Sequence, residues 1–245
     1  MQFQIIKANI VNIAADAIVL PANEQLKEGS GASEAIFAAA GRKELTKACQ
    51  ELGHCPVGSA IPTPAYDLEA KFIIHAVVPR WVDGTHSEYD LLSSAYLASL
   101  NIADIMGCSS IAFPLLASGN NGFNRDVALQ VASESINRFS GENLNKVYLI
   151  VYGDHAEEWI NAQGYTITII PDQLAVDIHK REALEQRRKL IAEGKNVAQK
   201  FVADQLAKAF EWLKDEDNRE KLIRFGIQIV KEISKNRANK INNKK

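Results

Sequence analysis

The chain has 245 residues, of which 47% are hydrophobic and 24% charged, with a formal net charge of −2. This predicts one globular domain of ordinary size plus an appendage. Three cysteines (Cys49, Cys55, Cys108) exclude a disulfide-built scaffold and point to a reducing, cytoplasmic setting, and no window approaches 18 uncharged apolar residues, which excludes a membrane-spanning helix.

The N-terminus reads as a strand over Phe3–Ile6 rather than as a basic, apolar leader. Further strands are predicted at Ala17–Leu20, Phe72–Ala76, Ser110–Phe113, Lys146–Tyr152 and Thr166–Ile170. Helical patterns lie between them, at Ser33–Ala40 continuing to Glu51, Glu88–Met106, Arg125–Phe139 and His155–Ala162. The last has an acidic first turn, Asp154 to Glu158, which suits the positive end of a helix dipole. Val- and Ile-rich strands separated by helices describe an α/β sandwich around a largely buried sheet.

Beyond Pro171 no strand is evident. Two or three amphipathic helices are predicted, over Asp172–Glu193, Asn196–Lys214 and Asp217–Ser234, followed by a basic, disordered tail. The expected division is therefore 1–170, 171–235 and 236–245. Residues 172–245 hold 18 Lys and Arg against 12 Asp and Glu, a balance of +6, while the preceding part holds 10 against 18, or −8. An acidic unit that holds an anion must do so with local backbone amides, because its overall field opposes the ligand. The same balance argues against a nucleic-acid partner for the first domain.

Two segments share one grammar, an apolar strand that runs into small, turn-forming residues and then a helix. The first is Ala17-Ile18-Val19-Leu20-Pro21-Ala22-Asn23, followed by Glu28-Gly29-Ser30-Gly31-Ala32-Ser33. The second runs from Ile111 through Phe113-Pro114 to Ala117-Ser118-Gly119-Asn120-Asn121-Gly122-Phe123. Small residues let the backbone come close to a ligand and aim N–H groups at an anion. Two such junctions predict one phosphate-containing ligand gripped from two sides.

These motifs, with Asp16-Ala17, Ala35-Ile36 through Ala39-Ala40-Gly41, Gly58-Ser59-Ala60 and Phe72-Ile73-Ile74-His75, resemble the macro domain family over residues 1–170. Lys71-Phe72-Ile73-Ile74-His75 with Pro79-Arg80-Trp81, and Asn121-Gly122-Phe123, resemble its histone-linked branch most. The resemblance implies a three-layer α/β/α sandwich with a mixed central sheet, followed here by the helical segment. It implies binding of ADP-ribose or a related NAD-derived nucleotide, with ADP-ribose or an ADP-ribosylated protein as partner and no cofactor or metal. The diphosphate would lie between Gly29, Ser30, Gly31, Ala32, Ser33 and Ala117, Ser118, Gly119, Asn120, Gly122, with Asn121 and Phe123 in the second loop. Asn23 would contact the ribose near its reactive carbon, Tyr152 would stack on adenine, and Asn9 with Ile10 would face the base.

Two positions depart from the family pattern. Asn9 stands where an aspartate commonly reads the adenine amino group, and Ser33 stands where the hydrolytic branch places an acidic residue that orients water. Serine without a partner is a poor general base, so recognition is the leading expectation. The alternative is removal of ADP-ribose from proteins or deacetylation of O-acetyl-ADP-ribose, with Asn23 positioning ribose for a substrate-activated water.

Plainer roles stand beside these. Asn23 also suits a turn after Pro21, Tyr152 a strand-end core aromatic, and His75 a satisfied core histidine. Cys49, His54 and Cys55 have a spacing reminiscent of zinc sites but lack a fourth ligand nearby. Glu28 reads as a solvated charge that would repel a diphosphate if it lined the pocket. The apolar stripes of residues 172–234 predict a packing face toward the first domain, a helical hairpin, another subunit or a protein partner.

Overall fold

The computed structural model describes residues 1–170; the helices and tail expected beyond Pro171 lie outside the described residues. Strands form at Gln2–Lys7 (β1), Ala17–Ala22 (β2), Ala60–Pro64 (β3), Phe72–Val77 (β4), Ser110–Pro114 (β5), Lys146–Val151 (β6) and Ile167–Ile169 (β7). Helices form at Ala32–Ala40 (α1), Arg42–Leu52 (α2), Glu88–Ile105 (α3), Arg125–Arg138 (α4) and Ala156–Ala162 (α5), with a short 3-10 turn at Ile10–Asn12.

The strands make one sheet in the order β3-β4-β2-β5-β6-β1-β7. Every pair is parallel except β3 with β4. The sheet is thus mixed, as expected, with its antiparallel member at one edge. Strand β3 escapes sequence reading because Pro62 and Pro64 lie within it. The two prolines are two residues apart, so their missing N–H groups fall on the same side of the strand. An edge strand tolerates that when the side faces away from its partner, here β4.

Alternation along the central strands sends residues to two layers. Val19, Ile74, Phe113, Val147 and Leu149 join the core under α3 and α4. Ile18, Leu20, Ile73, Ala112 and Ile150 join the core under α1 and α2. The helix expected to run unbroken from Ser33 to Glu51 divides at Gly41, whose φ of 92° leaves the helical region and is readily adopted only by glycine. Among the described residues, no helix is long and apolar enough to cross a membrane.

Parallel strands place all their C-terminal ends at one rim. The segments that follow β1, β2, β4, β5 and β6 therefore open on the same side, where α/β sheets hold ligands. The opposite rim is tied by Asp16, which accepts from Ser109 N and Ser109 Oγ at 2.7 and 2.8 Å and pairs with Lys71 at 2.9 Å. Partial burial opposes its charge, but Lys71 and the Ser109 donors outweigh this and hold its carboxyl below the usual range.

Candidate functional site

The first loop follows β2 and begins with a closed turn. Asn23 Nδ2 donates to Lys27 O at 2.8 Å, and Asn23 Oδ1 accepts from Lys27 N at 3.0 Å. Leu26, at a φ of 54°, buries its side chain beneath this turn. Asn23 thus does the work of a turn asparagine. The two bonds also fix the amide's orientation. They leave one N–H and one oxygen lone pair of an exposed amide to meet hydroxyls of a ligand.

The glycine segment is held from below. Gly29 N donates to Ser33 Oγ at 3.0 Å, and Ser33 is only 3% exposed. Its hydroxyl braces the loop, a local role that a spacing argument could not reveal. Gly31 ends the loop at a φ of 64°, where a side chain would be strained although the space around it is open. It precedes α1 without any side-chain cap, so the first N–H groups of that helix are left to an incoming acceptor. Glu28 does not stand alone beside them: Arg42 grips it at 2.8 and 2.9 Å, so its charge is neutralised in place.

The second loop follows β5 and is anchored on its inner side. Buried Tyr96 accepts from Leu116 N at 3.0 Å, and burial raises the pKa of this phenol so that it stays neutral. Ala117 turns the chain at a φ of 63°, and the loop closes through Phe123 N to Ala117 O and Gly122 N to Gly119 O. Ser118 Oγ donates to Leu115 O. Neighbouring asparagines then diverge. Asn121 Nδ2 donates to Pro79 O at 3.0 Å while its carbonyl accepts from Trp81 N at 2.8 Å. Asn120 Nδ2 instead donates to Ser30 Oγ in the first loop at 2.7 Å. The two small-residue loops, 90 residues apart in the chain, therefore touch directly.

Phe123 points into the core, meeting the Trp81 and Tyr89 rings edge-on at 5.1 and 6.5 Å. The segment carrying Trp81 is folded around Glu88, which is 2% exposed. Glu88 Oε1 accepts from Val82, Asp83 and Gly84 N at 3.1 Å each, and Oε2 from His86 N at 2.7 Å. Burial works against this charge, but the backbone donors prevail and hold the carboxyl down at about 2. Asp83, His86 and Glu88 have ligand atoms close enough to one another for a metal. Because Glu88's oxygens are already engaged by four amides, this trio is a loop-folding cluster rather than an open ligand set. Sequence reasoning passed over Glu88, whose only signal was an acidic residue in the first turn of a helix.

The next strands complete the rim. Tyr152 follows β6 and is 71% exposed, which removes the core-aromatic reading and leaves a bare ring at the C-terminal rim of the sheet. Lys7 Nζ donates to Asp154 O beside it. Asn9 follows β1 and caps the 3-10 turn by accepting from Val11 N at 3.3 Å, while Ile10 is buried.

His75 lies away from this rim, wholly buried among Thr63 and Cys49. Thr63 Oγ1 is 2.9 Å from Nε2, and Cys49 Sγ is 4.0 Å from Nδ1. Burial pushes the imidazole down to about 4 and the thiol up to about 11. Cys49 therefore turns to His75, while Cys55 meets Pro56 O and His54 meets Glu24. The three residues with zinc-like spacing do not converge.

The family model for the macro domain matches residues 19–132. An O-acetyl-ADP-ribose deacetylase of Escherichia fergusonii is 37% identical over 166 residues, covering 65% of this chain and 93% of the relative. The chain belongs to the macro domain family. A macro domain-containing protein of Caldanaerobacter subterraneus is 38% identical over 161 residues, covering 64% and 92% of the two chains. Among solved structures, a mutant of the Oceanobacillus iheyensis macrodomain with ADPR superimposes at a TM-score of 0.61 and 29% identity, covering 65% of this chain and 89% of that one. The same protein with ADP gives 0.57 and 28%, covering 74% and 91%. The mixed sheet with helical layers is the macro domain architecture, and both small-residue loops of this macro domain fall within the family match.

Proposed function

We propose that this protein binds ADP-ribose or a closely related NAD-derived nucleotide in the cleft between the β2–α1 and β5–α4 loops. One observation carries the reading: the two loops meet through Ser30 and Asn120 at the C-terminal rim of adjacent parallel strands, with uncapped helix amides behind one of them. The diphosphate takes the N–H groups of Ser30 to Ser33 and of Ser118 to Asn121, in charge-assisted bonds stronger than neutral ones. Asn23 offers its remaining donor and acceptor to the ribose, and Tyr152 gives the adenine a flat surface. Asn9 accepts from the adenine amino group without a full charge. The names of the relatives, and the ADPR and ADP in the Oceanobacillus structures, support the same ligand class.

Recognition is favoured over hydrolysis by the state of two side chains. Ser33 holds Gly29 and is buried, so it stands as a brace and not as a base. Asn23 is tied to Lys27 at both ends of its amide. The second reading, deacetylation of O-acetyl-ADP-ribose, rests on the 37% identity to enzymes named for that activity. In it, Asn23 orients the ribose and the bound phosphate activates water. We assign residues 1–170 to the macro unit and residues 171–235 to a helical extension for partner or self contact, ahead of the basic tail.

Calorimetric titration of the full chain with ADP-ribose tests the proposal. Saturable one-to-one binding is expected, and no heat at millimolar ligand overturns it. Release of acetate from O-acetyl-ADP-ribose, abolished in Asn23→Ala, would move the conclusion from reader to enzyme.

A further inference from the structure

Asn120 and Asn121 are neighbours with opposite tasks, and this sets the mechanics of the cleft. Asn121 is bonded through side chain and backbone to Pro79 and Trp81. Trp81 packs on Phe123 and Tyr89, and its segment is held by the four backbone amides on Glu88. The second loop is therefore braced from behind. The first loop is tied at its start, by Arg42 on Glu28 and by Gly29 N on Ser33 Oγ, but its exposed tip at Ser30 and Gly31 meets open space at Gly31. Its tip is held to the braced loop by the Ser30–Asn120 bond of 2.7 Å.

We propose that Ser30 and Asn120 form a latch closing the glycine loop over the anion cleft, with the β5–α4 loop as the fixed jamb and the glycine loop as the moving part. Ser30 and Asn120 then act as positioning residues that govern entry and exit of a ligand, while Asn121 governs the shape of the cleft itself. The identity of the ligand in this statement rests on the function proposed above; the latch does not.

The bond accounts for a distinct kinetic pattern. A latch that must open before a ligand enters and before it leaves slows both steps. Removing it speeds both, and the equilibrium affinity changes little. A residue that shapes the cleft alters affinity instead.

Hydrogen–deuterium exchange of the unliganded full chain tests the latch without any ligand. Asn120→Ala and Ser30→Ala are both expected to accelerate exchange at the hydrogen-bonded loop amides of Lys27 and Gly29 by about fivefold, the factor one ordinary hydrogen bond is worth. Ser30→Thr, which keeps the hydroxyl, is expected to match the parent. Both substituted residues are exposed, so folding is not at stake. Unchanged exchange in Asn120→Ala and Ser30→Ala, or equal acceleration in Ser30→Thr, overturns the latch. Stopped-flow mixing with ADP-ribose then reads its consequence. On- and off-rates rise together in Asn120→Ala with an affinity within about twofold of the parent, whereas Asn121→Ala loses affinity. Unchanged rates in Asn120→Ala overturn the gating role. Accelerated exchange in the two alanine variants, beside a parent that fails to bind ADP-ribose, keeps the latch and overturns the ligand assignment.

Discussion

Tyr152→Ala gives the cleanest separation of binding from folding. Tyr152 is 71% exposed, so removal of its ring forfeits little packing, and unfolding free energy should stay within about 0.5 kcal/mol of the parent. A ligand base laid on the ring gains what base–aromatic stacking typically supplies, roughly 1–3 kcal/mol. The middle of that range, about 2 kcal/mol, corresponds to about a 30-fold weaker Kd for ADP-ribose. Tyr152→Phe keeps the flat surface and should bind like the parent, because no bond to the phenol enters the argument. Isothermal titration with ADP-ribose, beside guanidinium unfolding of each variant, makes the comparison. The same pair titrated with ribose 5-phosphate, which has no base, should show no effect of Tyr152→Ala. An alanine variant within about twofold of the parent for ADP-ribose, less than about 0.4 kcal/mol, would refute the stacking role.

Two other perturbations test the electrostatics. His75 is buried neutral with a folded pKa lowered from 6.5 to about 4, so the unfolded chain binds the proton more readily and stability falls as pH drops through that window. Between about pH 7.5 and about pH 5 this single group removes about 2 kcal/mol, and His75→Gln should flatten the difference by that amount; parallel pH dependences of parent and variant in guanidinium unfolding would refute it. Arg42→Ala frees the Glu28 carboxylate beside the glycine loop. Affinity for ADP-ribose should weaken severalfold at low ionic strength and recover as salt screens the unpaired charge, and a salt-independent loss would refute the charge argument.

Much of this architecture is legible in the sequence because its signals are periodic. Central strands such as Phe72–Val77 and Ser110–Pro114 are apolar on both faces and declare a buried parallel sheet. The two small-residue loops follow such strands, and their shared grammar suffices to pair them. What escapes is non-periodic or long-range. Strand β3 carries Pro62 and Pro64, and only its place at the sheet's edge reconciles them with pairing. The sequence shows two adjacent asparagines at 120 and 121, but not that one turns to Pro79 and the other to Ser30. Glu88 is invisible for a similar reason: its partners are backbone amides, which every sequence has. Ser33 is legible as a departure from an acidic position, yet its task of holding Gly29 emerges only from the turn that brings them together.

The charge of the body and the charge of the ligand pose the remaining question of how the cleft works. Residues 1–171 carry a balance of −8, which opposes any diphosphate at long range. The proposed cleft answers at short range, through backbone amides. Helix α1 presents uncapped amides, the second loop presents its turn, and the Glu28 carboxylate beside the glycines is neutralised by Arg42. Fixed dipoles of this kind act over a few ångströms and demand close approach, which is why small residues line both loops. They also discriminate, since a polyanion held only by long-range attraction would find no such attraction here. Affinity then rests on loop geometry rather than net charge. In the proposed cleft the brace at Glu88 and Trp81 and the bond between Ser30 and Asn120 should therefore matter more than any added positive residue, because they set where the loop amides stand.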